Sequence, residues 1–517
     1  MNRIKHSMQN LVWGMIYRIL HMVFPVLLRA LIIREIGAAY VGANGVIKSI
    51  LSVLNLSELG FGTAIVYMLY KPIADNDKPT IRALMSLLRK VYRWVGLIML
   101  VAGVSLIPFL GFLVKDDTGT NVNIYILYGL YLFHTVMSYW MFSYRSTLFT
   151  AYQESAINFK IMVFCGIVQY ALQIIVLLTT RNYYLYILVL ALMIIPQNLL
   201  YFVISKRKYP DLYCEGNPTK EQVQTITLKV KSLLGHRVGN TVIFSIDSVI
   251  ISAFLGVTIL TKYDNYNYIM TSIVTLLTVI ITSIMASVGN KIVIDNPRNI
   301  YDLFMRLSFL WIGLVGWCST CLLSLYQPFI TIWVGEEFLL PESFVICMSL
   351  YFFVWQFRQI GLVVKDAAGL WEADKWKPYI GMVLNLTLSI LFVKLSGSIL
   401  GVLIPTICVL LFLYYPWEIS ILFKNLFFRS PWKYIIQNMR FVITAFISAA
   451  LTYLICGCVS FVGVIDLVVK AAICIVIMPG IYILLNINTK QWKETLFILK
   501  EIIPKRIENL KRRCSGR

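Results

Sequence analysis

The chain has 517 residues, 59% of them hydrophobic and 14% charged, and carries a formal net charge of +21. Apolar residues in that proportion, gathered into long runs, exclude a water-soluble domain and point to a polytopic helical membrane protein. The excess of Lys and Arg needs no nucleic acid, because basic loops on one face of a membrane and attraction to anionic lipid account for it.

The first run, Leu11–Arg34, is long enough to cross a bilayer as one helix, yet it contains Arg18, His21 and Arg29. At 100° per residue Arg18 and Arg29 fall about 20° apart on the helix, with Pro25 between them on the same face. An intramembrane Arg costs roughly 2.5–3.5 kcal/mol on an insertion scale, so this stripe is expected to line a wet cavity or to meet an anionic partner. The competing reading is snorkelling, which Arg34 can do from the helix end. Basic residues precede the run as in a signal peptide, but Arg and His interrupt it and no small-x-small cleavage site follows, so it is expected to remain as the first span.

Fourteen apolar segments of spanning length follow one another, centred near Met22, Leu56, Val101, Met137, Val168, Leu192, Phe244, Thr278, Val315, Phe352, Thr387, Leu410, Ala449 and Ile475. With a cytoplasmic N-terminus, the inner connections hold Lys71, Lys78, Arg82, Arg89, Lys90 and Arg93, then Lys206, Arg207, Lys208, Lys220, Lys229 and Lys231, then the basic tail. The outer ones hold only Lys115, Arg181, Lys262, Lys394 and Lys470, which sets both termini in the cytoplasm. The ten cysteines lie mostly in apolar runs. Neither Cys318/Cys321 nor Cys456/Cys458 has a second pair at zinc spacing, so no metal or other cofactor is expected.

An internal repeat divides the chain. Arg18 corresponds to Arg237, Lys71 and Asp75 to Lys291 and Asp295, and Glu154 to Glu372, at offsets of 219, 220, 220 and 218. The expected fold is all-α, with about fourteen transmembrane helices in two six-helix lobes related by a pseudo-two-fold along the membrane normal, plus a C-terminal helix pair. The expected boundaries are 1–205 for the N-lobe, 206–233 for a cytoplasmic linker, 234–424 for the C-lobe, 425–488 for the added pair and 489–517 for a basic tail. The linker Lys206–Leu233, with Pro210, Gly216 and Pro218, reads as a slack tether. Tyr263–Tyr268 and the stretch with Glu336, Glu337 and Glu342 read as solvated connections. Lys490–Arg513, with Trp492, Leu496, Leu499 and Ile503 at helical spacing, reads as an amphipathic helix on the inner leaflet.

Further polar residues interrupt the apolar runs. Glu58, flanked by Gly60 and Gly62, is a candidate for pairing with the arginine stripe or for coupling and gating. Lys48 reads as snorkelling, and His134 and Arg145 as further polar insertions, the latter an interfacial anchor. In the seventh segment Asn240 and Asp247 share a face, with Arg237 toward the cytoplasmic end. Asp247 is expected to neutralise an arginine or to carry a proton or cation.

The stretches LNLSELGFGTAIVYMLYKPIADND (Leu54–Asp77) and DSVIISAFLGVTILTKYDNYNYI (Asp247–Ile269) resemble the polysaccharide-repeat-unit (Wzx-type) flippases of the multidrug/oligosaccharidyl-lipid/polysaccharide (MOP) exporter superfamily. That resemblance implies translocation of an undecaprenyl-diphosphate-linked oligosaccharide from the inner to the outer leaflet of the plasma membrane by alternating access. It also implies a basic central cavity, which Arg18, Arg29 and Arg237 match in type and depth, with His21 beside them. The residues taken alone agree, since a guanidinium makes bidentate hydrogen bonds to phosphate oxygens. A coupling ion, H+ or Na+, has no identifying pattern here. The competing classes are a cation-coupled multidrug exporter on the same fold, which would hold organic cations with Glu58 and Asp247, and a polytopic enzyme acting on the same lipid.

Overall fold

The computed structural model describes residues 2–37, 39–54, 61–113, 123–370 and 372–497, and every regular element among them is helical. Lipid offers the backbone no hydrogen-bond partners, so apolar runs of this length satisfy their amides internally. The first repeat holds α1 (Asn2–Glu35), α2 (Ala39–Leu54), α3 (Phe61–Ala74), α4 (Lys78–Leu106), α5 (Leu110–Leu113), α6 (Ile124–Trp140), α7 (Ser146–Ala151), α8 (Ser155–Thr180) and α9 (Tyr183–Lys208). The second holds α10 (Lys220–Leu255), α11 (Val257–Ile294), α12 (Pro297–Trp333), α13 (Glu342–Phe357), α14 (Gln359–Ala367), α15 (Lys377–Ser396), α16 (Leu400–Cys408) and α17 (Tyr415–Leu422). After it come α18 (Trp432–Gly457), α19 (Val464–Asn486) and α20 (Lys490–Phe497). Among the described residues eleven helical stretches are long and apolar enough to cross a membrane. Thirteen of the fourteen expected centres fall within helical segments, and the one at Leu56 lies outside the described residues, between α2 and α3.

The repeat is visible in local structure. Asp75 N–H donates to Lys71 O at 2.9 Å where α3 ends, and Asp295 N–H donates to Lys291 O at 2.8 Å where α11 ends. Each is followed at once by a helix with proline in its first turn, where the missing N–H costs nothing.

On α1, Leu11, Val12, Met15, Ile16, Ile19, Val23 and Leu27 form an exposed apolar stripe of the kind that faces lipid. Arg18 and Arg29 lie off that stripe, and both are half-buried. The opposite face packs on α8, where Gly14 admits the Phe159 ring.

The chain divides into two compact units. One runs to Asp264 and takes in Pro378–Val402; the other holds Asn265–Lys377 and the chain from Leu403 onward. The division therefore does not follow the 206–233 boundary, because α10 packs on α2 and α3. In the second unit α18 and α19 are fastened to α12: Gly313 lies under the Tyr482 ring, whose hydroxyl donates to Phe309 O at 3.0 Å, and Trp317 Nε1 donates to Cys474 O at 3.1 Å.

Two connections differ from expectation. Tyr263–Tyr268 is not a solvated connection but part of α11, with Tyr263, Asn265 and Tyr266 buried. The tail helix is present over Lys490–Phe497, and ion pairs hold it to α12, Arg306 Nε to Glu494 at 3.9 Å and Lys490 Nζ to Asp302 at 3.7 Å. Residues 498–517, with Leu499 and Ile503, lie outside the described residues.

The linker is not slack over its central part. A capping box at Thr219 starts α10 early, so the connection shortens to 209–219 and is strapped along α4. Lys78 Nζ donates to Asp211 Oδ2 at 2.6 Å, Arg82 Nε to Asp211 O at 2.7 Å and Arg82 Nη1 to the Tyr213 hydroxyl at 2.8 Å. The Arg82 guanidinium lies 3.9 Å over the Tyr213 ring, and Lys90 Nζ reaches Asn217 Oδ1 at 2.7 Å. Arg145, expected as an interfacial anchor, is instead buried and donates to Leu212 O at 2.8 Å.

Arg82→Ala removes three of these contacts together, so protease cleavage within 209–217 should rise at least about five-fold, the scale of one net hydrogen bond of about 1 kcal/mol, with the melting temperature of the helical body unchanged. Asp211 adds a pH dependence. The Lys78 ammonium bonded to it holds its carboxyl below the usual aspartate range. A depressed carboxylate pKa contributes docking above the ordinary range and loses it as pH falls through the depressed value. Strap protection should therefore weaken on acidification in the parent and change less in Asp211→Asn.

Candidate functional site

The site is built where α2 meets the start of α11, within the first unit. Gly256 alone separates α10 from α11, and its φ of +93° lets the chain reverse there, where a side chain would be strained. The reversal lays Val257, Thr261 and Asp264, on one face of α11, against Gly42 and Gly45 of α2. A Cβ at Gly42 would collide with Thr261 Oγ1, Val257 Cγ1 and the Val257 carbonyl oxygen; one at Gly45 would meet only the Asp264 carboxylate. Small residues three apart make a flat strip that two helix backbones can approach closely.

Three charges converge there. Arg29 Nη2 reaches Thr261 O at 3.4 Å. Lys48, one turn beyond Gly45, keeps accessible surface, and the charges of Arg29 and Asp264 both act on it. Asp264 is half-buried, and the charges of Arg29 and Lys48 both act on it. Aromatic rings surround the group: Lys48 Nζ stands 5.9 Å from the Tyr131 ring centroid, and Tyr183 packs on Tyr186 at 5.4 Å and on Tyr40 at 4.9 Å. Two cations and one carboxylate leave the cluster net positive. Its guanidinium and ammonium are the donors that a phosphate-type anion takes.

Of the residues expected from sequence, Arg29 enters this cluster. Arg18 is on the same helix eleven residues away, roughly 16 Å along the axis. His21 belongs to the α1–α8 seam, with its Nδ1 2.8 Å from the Tyr170 hydroxyl. Asp247 is 1% exposed in α10, and its Oδ1 has no hydrogen-bond partner among the described residues. Arg237 and Asn240 lie on α10 with side chains outside the described set, and Glu58 lies outside the described residues altogether. Lys48 and Asp264 were missed. Lys48 looked like a snorkelling lysine, and Asp264 fell in a stretch read as solvated; the available signal was the Gly42-x-x-Gly45-x-x-Lys48 spacing.

A second charged group, in the second unit, is closed rather than open. Arg358 donates to both carboxylate oxygens of Glu418, at 3.1 and 2.6 Å. Lys377 Nζ bonds Glu418 at 2.6 Å and Asp374 at 2.8 Å, and Lys365 completes the group on Asp374. None of the five is more than 7% exposed. Asp366, 3.3 Å from Lys365 Nζ, brings the carboxylates to three against three cations, so the cluster reads as a clasp that ties α14 to α17 through the segment from Asp374 to Lys377. The first repeat has a lighter version, in which Glu154 accepts from the Tyr209 hydroxyl at 2.6 Å and pairs with Lys208 at 2.5 Å. Glu372, matched to Glu154 by offset, is exposed and pairs with Lys375; Asp374 takes the buried place.

Compared with solved structures, the chain is similar to the lipid II flippase MurJ in an inward closed conformation, with a TM-score of 0.65 at 13% identity, covering 93% of this chain and 99% of that one. It is also similar to an inward-facing multidrug resistance MATE family transporter of the MOP superfamily, with a TM-score of 0.57 at 12% identity, covering 78% and 96%. MATE in a bent conformation gives 0.52 at 10% identity, covering 86% and 97%. At these identities the likeness establishes the fold alone, the one shared by these flippase and MATE structures. No family model matches the sequence. No curated protein sequence matches it either.

Gly42→Ala should destabilise the protein by about 1–3 kcal/mol, because the new methyl meets backbone that no rotamer relieves. Gly45→Ala meets a side-chain carboxylate that can swing aside, and should leave the melting temperature within a degree or two of the parent. Thermal unfolding of the two variants in the same detergent checks the contrast.

Proposed function

We propose that the protein is a flippase that carries polyprenyl-diphosphate-linked oligosaccharide repeat units from the inner to the outer leaflet of the plasma membrane by alternating access of its two repeats, with both termini cytoplasmic. The observation that carries this reading is the convergence of Arg29, which reaches Thr261 O, and Lys48, which keeps accessible surface, on one site in the first unit. Cations held there cost free energy unless an anion or water meets them, and a diphosphate offers oxygens to both. The fold shared with a lipid II flippase supports the substrate class. The exposed stripe on α1 leaves an isoprenoid tail in lipid while its head group enters.

Arg18 and Arg29 are too far apart for one diphosphate to bridge. They act in succession, Arg18 from the cytoplasmic side and Arg29 from the outer, with Arg237 contributing from α10. Asp247, buried and incompletely hydrogen-bonded, is the position for a coupling H+ or Na+. The likeness to MATE transporters supports a second reading, a cation-coupled multidrug exporter. Asp264 and Asp247 would then hold an organic cation, but Arg29 and Lys48 oppose that at Asp264.

Binding to the purified protein in lipid nanodiscs separates the two. Undecaprenyl diphosphate should bind, and tetraphenylphosphonium should not compete with it. A hydrogen bond to a charged group contributes about 1.5–3 kcal/mol, so Arg29→Ala and Lys48→Ala should each weaken lipid binding roughly ten- to a hundred-fold at unchanged thermal stability. Arg18→Ala should slow flipping in proteoliposomes more than it weakens binding. Tight binding of the phosphonium with none of the lipid would favour the exporter.

A further inference from the structure

Asp264 is a carboxylate placed where an anionic substrate would be bound. It sits on the same face of α11 as Thr261, whose carbonyl oxygen takes the Arg29 guanidinium at 3.4 Å. Its carboxylate rests on Gly45, a position where any side chain would displace it. Arg29 and Lys48 act on it from α1 and α2; the other titratable side chains placed near these cations are Tyr131, whose ring centroid is 5.9 Å from Lys48 Nζ, Tyr183 near Arg29, and His134 on α6, whose Nδ1 donates to Leu190 O at 3.2 Å. Two uncompensated cations inside a membrane would be costly in the empty transporter and would hold a diphosphate too tightly for release. One internal carboxylate lowers both penalties.

We propose that Asp264 is the internal counter-anion of the site, paired with the Arg29–Lys48 cations when no substrate is bound and exchanged for the substrate's diphosphate during each cycle. This rests on the flippase reading and adds a positioning residue to it. No bond is made or broken; the cations trade one set of anionic oxygens for another. Asp264 thereby sets affinity against turnover, because binding must displace the carboxylate and release is assisted by its return. Gly45 is part of the device, since a Cβ there would meet the Asp264 carboxylate where it rests.

The test measures undecaprenyl diphosphate affinity in nanodiscs and the flipping rate of a fluorescent polyprenyl diphosphate in proteoliposomes. Asp264→Asn should bind the lipid about five- to thirty-fold more tightly while its flipping rate at saturating lipid falls at least five-fold, and Asp264→Glu should restore the parent balance in part. Gly45→Ala, which displaces the carboxylate without removing it, should shift affinity in the same direction, and should add nothing in an Asp264→Asn background. A structural role for Asp264 alone predicts lower thermal stability with affinity and rate falling together. If the parent binds the lipid and Arg29→Ala weakens it, but neither Asp264→Asn nor Gly45→Ala tightens binding, the counter-anion proposal is overturned and the flippase reading stands. If the parent does not bind the lipid, or Arg29→Ala binds it as well as the parent, both fall together.

Discussion

The cost of holding charge inside a membrane shapes this protein more than any other constraint. Arg29, Lys48 and Asp264 converge within the first unit, and each would be expensive alone inside a membrane. They become tolerable together, where opposite charges and accessible surface offset the cost. That arrangement depends on backbone geometry: Gly256 turns the chain between α10 and α11, and Gly42 and Gly45 let α11 approach α2 closely enough for Asp264 to reach the cations. Chemistry at the site thus begins with residues that have no side chains.

The two charged clusters show how burial separates a structural role from a functional one. In the second unit Arg358, Lys365, Asp374, Lys377 and Glu418 are sealed and mutually bonded, and removing one partner would leave a buried charge uncompensated. In the first unit Lys48 and Asp264 keep accessible surface, so solvent or a ligand can take part. The clasp is suited to keeping helices fixed, and the open cluster is the one we propose changes partners. Both repeats place acidic residues ahead of their fifth helix and tie them to the sixth, through Glu154 and Lys208 in one and through Asp374, Lys377 and Glu418 in the other.

Much of the fold was legible in the sequence because apolar run length and the periodicity of α1 report directly on membrane spans and their lipid face. The Lys71–Asp75 and Lys291–Asp295 pairs likewise mark repeated helix ends. The site was less legible. Arg29 announced itself as a charge in an apolar run, whereas Lys48 resembled a snorkelling residue and Asp264 sat among Tyr and Asn that imitate a polar loop. Only the approach of α11 to the glycines of α2 separates those readings, and that is a tertiary fact. The strap was misread for a related reason: Pro, Gly and charge at 206–233 describe a loop, but whether it is free depends on Arg82 and Arg145, which belong to other parts of the chain.

The central claim, that Arg29 and Lys48 receive a diphosphate, is tested most directly by an electron cryomicroscopy structure of the protein in nanodiscs with undecaprenyl diphosphate. The account predicts diphosphate density within hydrogen-bonding distance of the Arg29 guanidinium or the Lys48 ammonium, with the Asp264 carboxylate turned away from it. Well-defined lipid density elsewhere in the protein, with the Arg29–Lys48–Asp264 group unchanged from its substrate-free arrangement, would contradict it.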